Sequence, residues 1–176
     1  DQANDDKAIP GWRIKVRSLD DSSDPLKGAA AAKLLAANKA VAAVVGPYNS
    51  GVAEAALPAL KGKVALLSPS NTLTSLTLGP DATKPDRPYK NYYRLVGPDS
   101  LQAQFLAQQA KKLGFTKVAV VNETKAVSKG LADQFATAFK AGGGTVTVQT
   151  TVPDGATDFS TFLTAAVPTA PQMIFF

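Results

Sequence analysis

Two short polar stretches have the residue types to hold a small ligand: Tyr48-Asn49-Ser50-Gly51 and Ser70-Asn71-Thr72. Each closely follows an apolar run, Val41–Val45 in one case and Val64–Leu67 in the other. A serine hydroxyl at the start of a helix, together with the free N–H groups of the first turn, suits a carboxylate or another anion. Ser50 stands at such a place, although a plain N-cap serine has the same signature. Thr72, with Ser70 next, is the candidate in the second stretch. A turn whose Ser and Asn side chains satisfy their own backbone reads the same way. Asn49, Tyr48 and Asn71 lie beside these hydroxyls, and Tyr48 either walls a crevice or packs beneath it.

The elements that must position them follow from periodicity. Val52, Ala55, Ala56, Ala59 and Leu60 recur at helical spacing between the two apolar runs. The unit therefore reads strand, turn, helix, strand, turn. Parallel strands joined by a helix place both turns at the carboxyl edge of the sheet. Open α/β sheets bind small ligands at that edge, so the two stretches are expected side by side over one crevice.

Composition removes whole classes of chemistry. The 176 residues contain no Cys and no His, which excludes a thiol nucleophile, a Ser-His pair and a His- or Cys-ligated metal. No convincing carboxylate pair is present, so an enzyme on this fold is the weaker reading, though fold alone does not decide it. Asp20, Asp21 and Asp24 lack the remaining ligands of a calcium loop and read as a solvated turn. Gly142-Gly143-Gly144 follows a helix and precedes a strand, the reverse of a dinucleotide fingerprint, and reads as a helix stop. No cofactor and no metal is expected. The net charge of +5 is dispersed without a dense basic block, so no nucleic-acid partner is expected. No apolar run is long enough to span a membrane.

Along the chain, Asp1–Ile9 reads as the frayed end of a helix and Arg13–Leu19 as a strand with Ile14 and Val16 on one face. Asp24-Pro25 is a helix start, with Leu26, Ala30, Leu34 and Ala37 as its buried stripe. Leu73–Asn91, rich in Pro, reads as an exposed, mobile loop. Tyr92–Val96 is a short strand, and Gly97-Pro98 marks the crossing between two lobes, 1–98 and 99–176. Asp99 is expected to cap a helix to Leu113, with Gln102 completing a capping box. Lys117–Val121 is a buried strand, and Lys129–Ala141 is a helix with Leu131, Phe135, Ala138 and Phe139 inward. Thr145–Val152 is a strand with Val146, Val148 and Val152 on one face. Asp158 starts a short helix, and Met173–Phe176 is a last strand.

The series GPYNSG, LLSPSNT, Asn91-Tyr-Tyr-Arg94, GFTKVAVVN, Gly130-Leu-Ala-Asp133, Ala141–Gly144 and Thr157-Asp-Phe-Ser160 resembles the type I periplasmic binding proteins. Within them it is most similar to the branched-chain amino-acid (Leu/Ile/Val) substrate-binding proteins of ABC transporters. The resemblance covers nearly the whole chain and implies two Rossmann-like (flavodoxin-like) three-layer α/β lobes with parallel sheets, incomplete here at both ends. It implies that Ser50 contacts a ligand carboxylate, and that the Ser70–Thr72 turn serves the carboxylate and ammonium. One departure stands out. Val127 occupies the position of the family's ligand-covering aromatic residue, which removes contact area and a cation–π partner and puts a standard aliphatic amino acid in question.

The implied function is a non-catalytic, extracytoplasmic solute-binding protein. It would take a small carboxylate, an amino acid or a related acid, to an ABC permease in the membrane. Periplasmic or extracellular placement follows from the resemblance, with a lipid anchor upstream as one form of it. A ligand-sensing domain of the same fold is the alternative.

Overall fold

A computed structural model describes residues 2–60, 62–80 and 84–176. After α1 (Gln2–Asp5) and α2 (Pro25–Ala37), the chain runs β1 (Ala43–Val45), α3 (Ser50–Leu60), β2 (Ala65–Ser68), α4 (Ser75–Leu78) and β3 (Tyr92–Arg94). It continues through α5 (Asp99–Lys112), β4 (Lys117–Glu123), α6 (Ala126–Ala141), β5 (Thr145–Val152), α7 (Ser160–Ala166) and β6 (Met173–Phe175). Two three-stranded parallel sheets result, in the orders β1-β2-β3 and β5-β4-β6. This is the expected α/β architecture.

In the first sheet, Val44, Leu66 and Tyr92 share a face and pack with Ala53, Ala56, Leu57 and Leu60 of α3. Val45 and Tyr93, on the opposite face, are exposed. The second sheet carries helices on both sides. Val118 and Val120 meet α5 and α6, whereas Ala119 and Val121 meet Phe162 and Ala166 of α7. Phe135 of α6 stacks on Phe175 of β6 with ring centroids 3.9 Å apart.

Several expectations are corrected. Arg13–Leu19 is not a strand: no described strand pairs with it, and among the described residues only Asn4 engages its backbone, at Ile14. A segment becomes a strand when a neighbour takes its hydrogen bonds, and alternation alone does not supply one. The α2 stripe is Gly28 and Ala32, and Leu26 and Leu34 are exposed. Here the closest approach decides the face. A Cβ on Gly28 would lie 2.3 Å from Val52 Cγ1, so α2 and α3 touch through the glycine.

Leu73–Asn91 is not an exposed loop throughout. Leu73–Gly79 holds α4 and buries Leu76 and Thr74, while residues 84–88 are exposed. Residues 81–83 of that stretch, and Asp1 of the first helix, lie outside the described residues. Asp99 does not cap α5 with its side chain; it is the first helical residue and is 1% exposed. Val146 does not share a face with Val148 and Val152. The pairing with β4 skips Thr147, so Val146 joins the α5/α6 side and the other two join the α7 side.

Other expectations hold. Asp24 caps α2, its carboxylate accepting from Leu26 N at 2.7 Å. The glycine triplet ends α6, and a Cβ on Gly144 would lie 2.3 Å from the Phe139 ring. Asp20 and Asp21 accept N–H groups of Ser22 and Ser23, as a polar turn would.

Candidate ligand site at the two turns

The turns after β1 and β2 lie side by side, because Val45 and Leu67 are register partners and both chains leave the same edge. Four side chains bind one turn to the other. Ser50 Oγ accepts the backbone N–H groups of Thr72 (3.2 Å) and Leu73 (3.3 Å). Ser70 Oγ donates to Tyr48 O at 2.7 Å. Asn71 Nδ2 donates to Pro47 O (3.1 Å) and Tyr48 O (2.7 Å). Ser68 Oγ accepts from Ser70 N and Asn71 N and donates to Pro47 O.

The candidate residues therefore divide by exposure. Ser50 and Asn71 are buried, at 2% and 0% exposure. They fix the geometry of the turns, and Asn71 Oδ1 also accepts from the Tyr92 hydroxyl at 3.3 Å. Thr72, Ser70 and Asn49 are half-buried, and Tyr48 is exposed. Tyr48 thus stands free and does not pack beneath the turn. Ser50 opens α3, so the orphan N–H groups of that helix face the edge where the turns meet.

Residues not singled out by spacing hold the site from below. Arg94, at the end of β3, donates Nη1 to the carbonyls of Asn71 (3.2 Å) and Leu73 (3.0 Å), and Nη2 to Thr74 O and Thr77 Oγ1. Burial lowers the Arg94 pKa, opposed by nearby Tyr92 and Asp99. Burial likewise raises the Tyr92 phenol, opposed by Arg94 and Ser68. Asp99 N donates to Thr72 O at 2.7 Å. The Asp99 carboxyl is raised by burial, against a hydrogen bond from the Thr72 side chain and the charge of Arg94. The hydrogen-bond partners of Arg94 and of the Asp99 N–H lie 17 or more residues away in the chain, so no local motif announces them.

At the corresponding edge of the second sheet, β4 leads into the first turn of α6, where Val127 is half-buried. Ser128 Oγ accepts from Glu123 N at 3.1 Å, and Lys125 pairs with Asp154 at 2.7 Å. α6 touches α3, and a Cβ on Gly130 would lie 3.0 Å from Leu73 Cδ1. Helix α6, which packs on the second sheet, thus meets the first unit at α3 and Leu73. Among the described residues no group of three or more His, Cys, Asp or Glu could hold a metal ion. No described helix is long and apolar enough to cross a membrane.

The family model for the periplasmic binding proteins matches residues 1–176, so the chain belongs to that family. A Leu/Ile/Val-binding protein of Rhizobium johnstonii is 32% identical over 178 residues, covering 100% of this chain and 46% of the relative. A branched-chain amino acid transporter substrate-binding protein from Streptococcus pneumoniae, solved with isoleucine, is 28% identical with a TM-score of 0.79. That match covers 98% of this chain and 47% of the solved one. A solute-binding protein of an ABC transporter from Rhodopseudomonas palustris, solved with 3,4-dihydroxybenzoic acid, is 26% identical with a TM-score of 0.75, covering 94% and 44%. The chain spans less than half the length of these relatives, and all of them are binding proteins rather than enzymes.

Proposed function

We propose that this chain is part of an extracytoplasmic solute-binding protein that captures a small carboxylate, an amino acid or a related acid, for an ABC importer. The crossing at Pro98 would separate a lobe of residues 1–98 from the start of a second lobe. Ligand would enter between them, with its carboxylate against Thr72, Ser70, Asn49 and the N–H groups opening α3. Val127 and its neighbours would close over it from the other side. Ligand drives such closure only by binding the closed form more tightly than the open one. The liganded form would then dock on its membrane permease.

One observation carries the reading: two N–H- and hydroxyl-bearing turns are locked together at one sheet edge, with Thr72 and Ser70 left partly open to solvent. The ligands of the solved relatives, isoleucine and 3,4-dihydroxybenzoic acid, differ in shape and share a carboxyl group. That common group is what the turns suit, and the second lobe would set the remainder. A thermal-shift panel of aliphatic amino acids and aromatic carboxylates on the full-length protein tests this through linkage. A dose-dependent rise with at least one carboxylate is the expected result; no response to any carboxylate contradicts it.

A further inference from the structure

Asp99 is the most enclosed acid among the described residues, at 1% exposure. Its main chain is accounted for, since it opens α5 and donates its N–H to Thr72 O at 2.7 Å. Its carboxylate is not. Oδ2 has no hydrogen-bond partner, and no ion pair among the described residues includes it. Arg94 is donated instead to the carbonyls of Asn71, Leu73 and Thr74 and to the Thr77 hydroxyl. A buried carboxylate with an idle oxygen is costly unless something supplies the missing positive charge.

Oδ2 faces a cavity that can hold such a charge. A Cβ on Gly130 of α6 would lie 3.6 Å from Oδ2, and Gly130 and Asp99 both line a cavity of about 100 Å³. Thr74, Ser75 and Gly79 line it from the segment after the second polar turn, and Gln134 lines it from α6. Asp99 is the one charged residue of that wall, and the other polar side chains are two hydroxyls and an amide. Oxygen donors without imidazole or thiolate suit a hard cation. A single carboxylate balances a single positive charge, and the nearby charge of Arg94 works against a second. The volume leaves room for a small ion and a few waters.

We propose that this cavity binds a monovalent cation of sodium's size at Asp99 Oδ2, and that the bound ion ties the Thr74–Gly79 segment to α6. Without the ion the buried charge opposes the fold; with it the charge is balanced. The site is separate from the contacts proposed for a ligand carboxylate and does not depend on them.

The test is thermal denaturation of the full-length protein, free of organic ligand, at about pH 8, well above the ordinary carboxylate range. Sodium chloride is compared with N-methylglucamine chloride at equal ionic strength, the organic cation being too bulky to enter. The midpoint is expected to be about 2 °C or more higher in sodium, and to saturate with sodium concentration. Asp99→Asn, of the same size without the charge, should melt above the wild type in N-methylglucamine chloride and lose the sodium response. Gly130→Ala, which sets a methyl 3.6 Å from Oδ2, keeps the carboxylate and should weaken the response. Equal wild-type midpoints in the two salts mean that water alone fills the cavity, and overturn the proposal. A response left intact in either variant places the sodium elsewhere and overturns it too. Magnesium chloride stabilising the wild type more than sodium chloride at equal ionic strength contradicts the single-charge assignment.

Discussion

Ser50 Oγ accepts the Thr72 N–H at 3.2 Å, so the first residue of α3 is bonded directly to the last residue of the second polar turn. The same oxygen accepts from Leu73 N at 3.3 Å. Ser50 is therefore both the opening of a helix and the clamp that fixes the neighbouring turn. Ser50→Ala leaves two part-buried N–H groups without that acceptor. A loss of about 1–3 kcal/mol is expected, read as a lowered urea midpoint with an unchanged slope. An unaltered midpoint would show that water replaces the hydroxyl at no cost.

Asn71 is expected to be the more sensitive position. Its side chain joins Pro47 O, Tyr48 O and the Tyr92 hydroxyl, all without solvent exposure of its own. Asn71→Leu keeps the volume and removes every side-chain bond, leaving the Tyr92 hydroxyl unpaired and Pro47 O and Tyr48 O with only the Ser68 and Ser70 hydroxyls. The expected loss is at least about 2 kcal/mol, larger than that for Ser50→Ala in the same denaturation series. The reverse order would mean that the turns are held mainly by Ser50 and Ser68.

Gly28 tests the α2–α3 packing. A Cβ there would lie 2.3 Å from Val52 Cγ1, inside the Val52 side chain. In an open helix Gly→Ala stabilises; here overpacking of about 1–3 kcal/mol is expected to outweigh that gain. Val52→Ala in the same molecule should recover part of the loss. A Gly28→Ala protein as stable as the wild type would show that the two helices separate freely.

How much of this was legible in the sequence depends on range. The β1–α3–β2 unit and its paired turns followed from periodicity within about 30 residues, since each signal is local. The buried stripe of α2 was not legible. Its run of Ala and Leu offers little contrast, and the side of the helix that meets Val52 is set by a glycine, which hydrophobic spacing ignores. Arg13–Leu19 alternates like a strand but depends on a neighbour for pairing. At the site, Ser50, Ser70 and Thr72 stood out through their turn chemistry. Arg94 and Asp99 did not, because their partners lie 17 or more residues away and are fixed only by sheet register.

The pH dependence of stability follows from Asp99. Its carboxyl is raised by burial beyond what Thr72 and Arg94 lower it. Between the unfolded and folded pKa values the native state therefore binds more protons, and stability falls as pH rises through that window. Above the folded pKa the buried charge opposes folding in full. Asp99→Asn should thus be more stable than the wild type at about pH 7, with the difference shrinking as pH falls through the folded pKa. Urea denaturation of both proteins across pH checks the sign. A gap that widens on acidification would mean that the ionised form is the one the fold favours.

The central claim is that the paired turns recognise a carboxylate. The most direct measurement is titration calorimetry of the full-length protein with the strongest-binding acid of the thermal-shift panel and with its primary amide. The amide has the same shape, without the negative charge that the N–H groups and hydroxyls at the turns would receive. The account predicts binding of the acid and at least about a tenfold loss for the amide, the scale of a charge-assisted hydrogen bond. Equal affinity for acid and amide would contradict it.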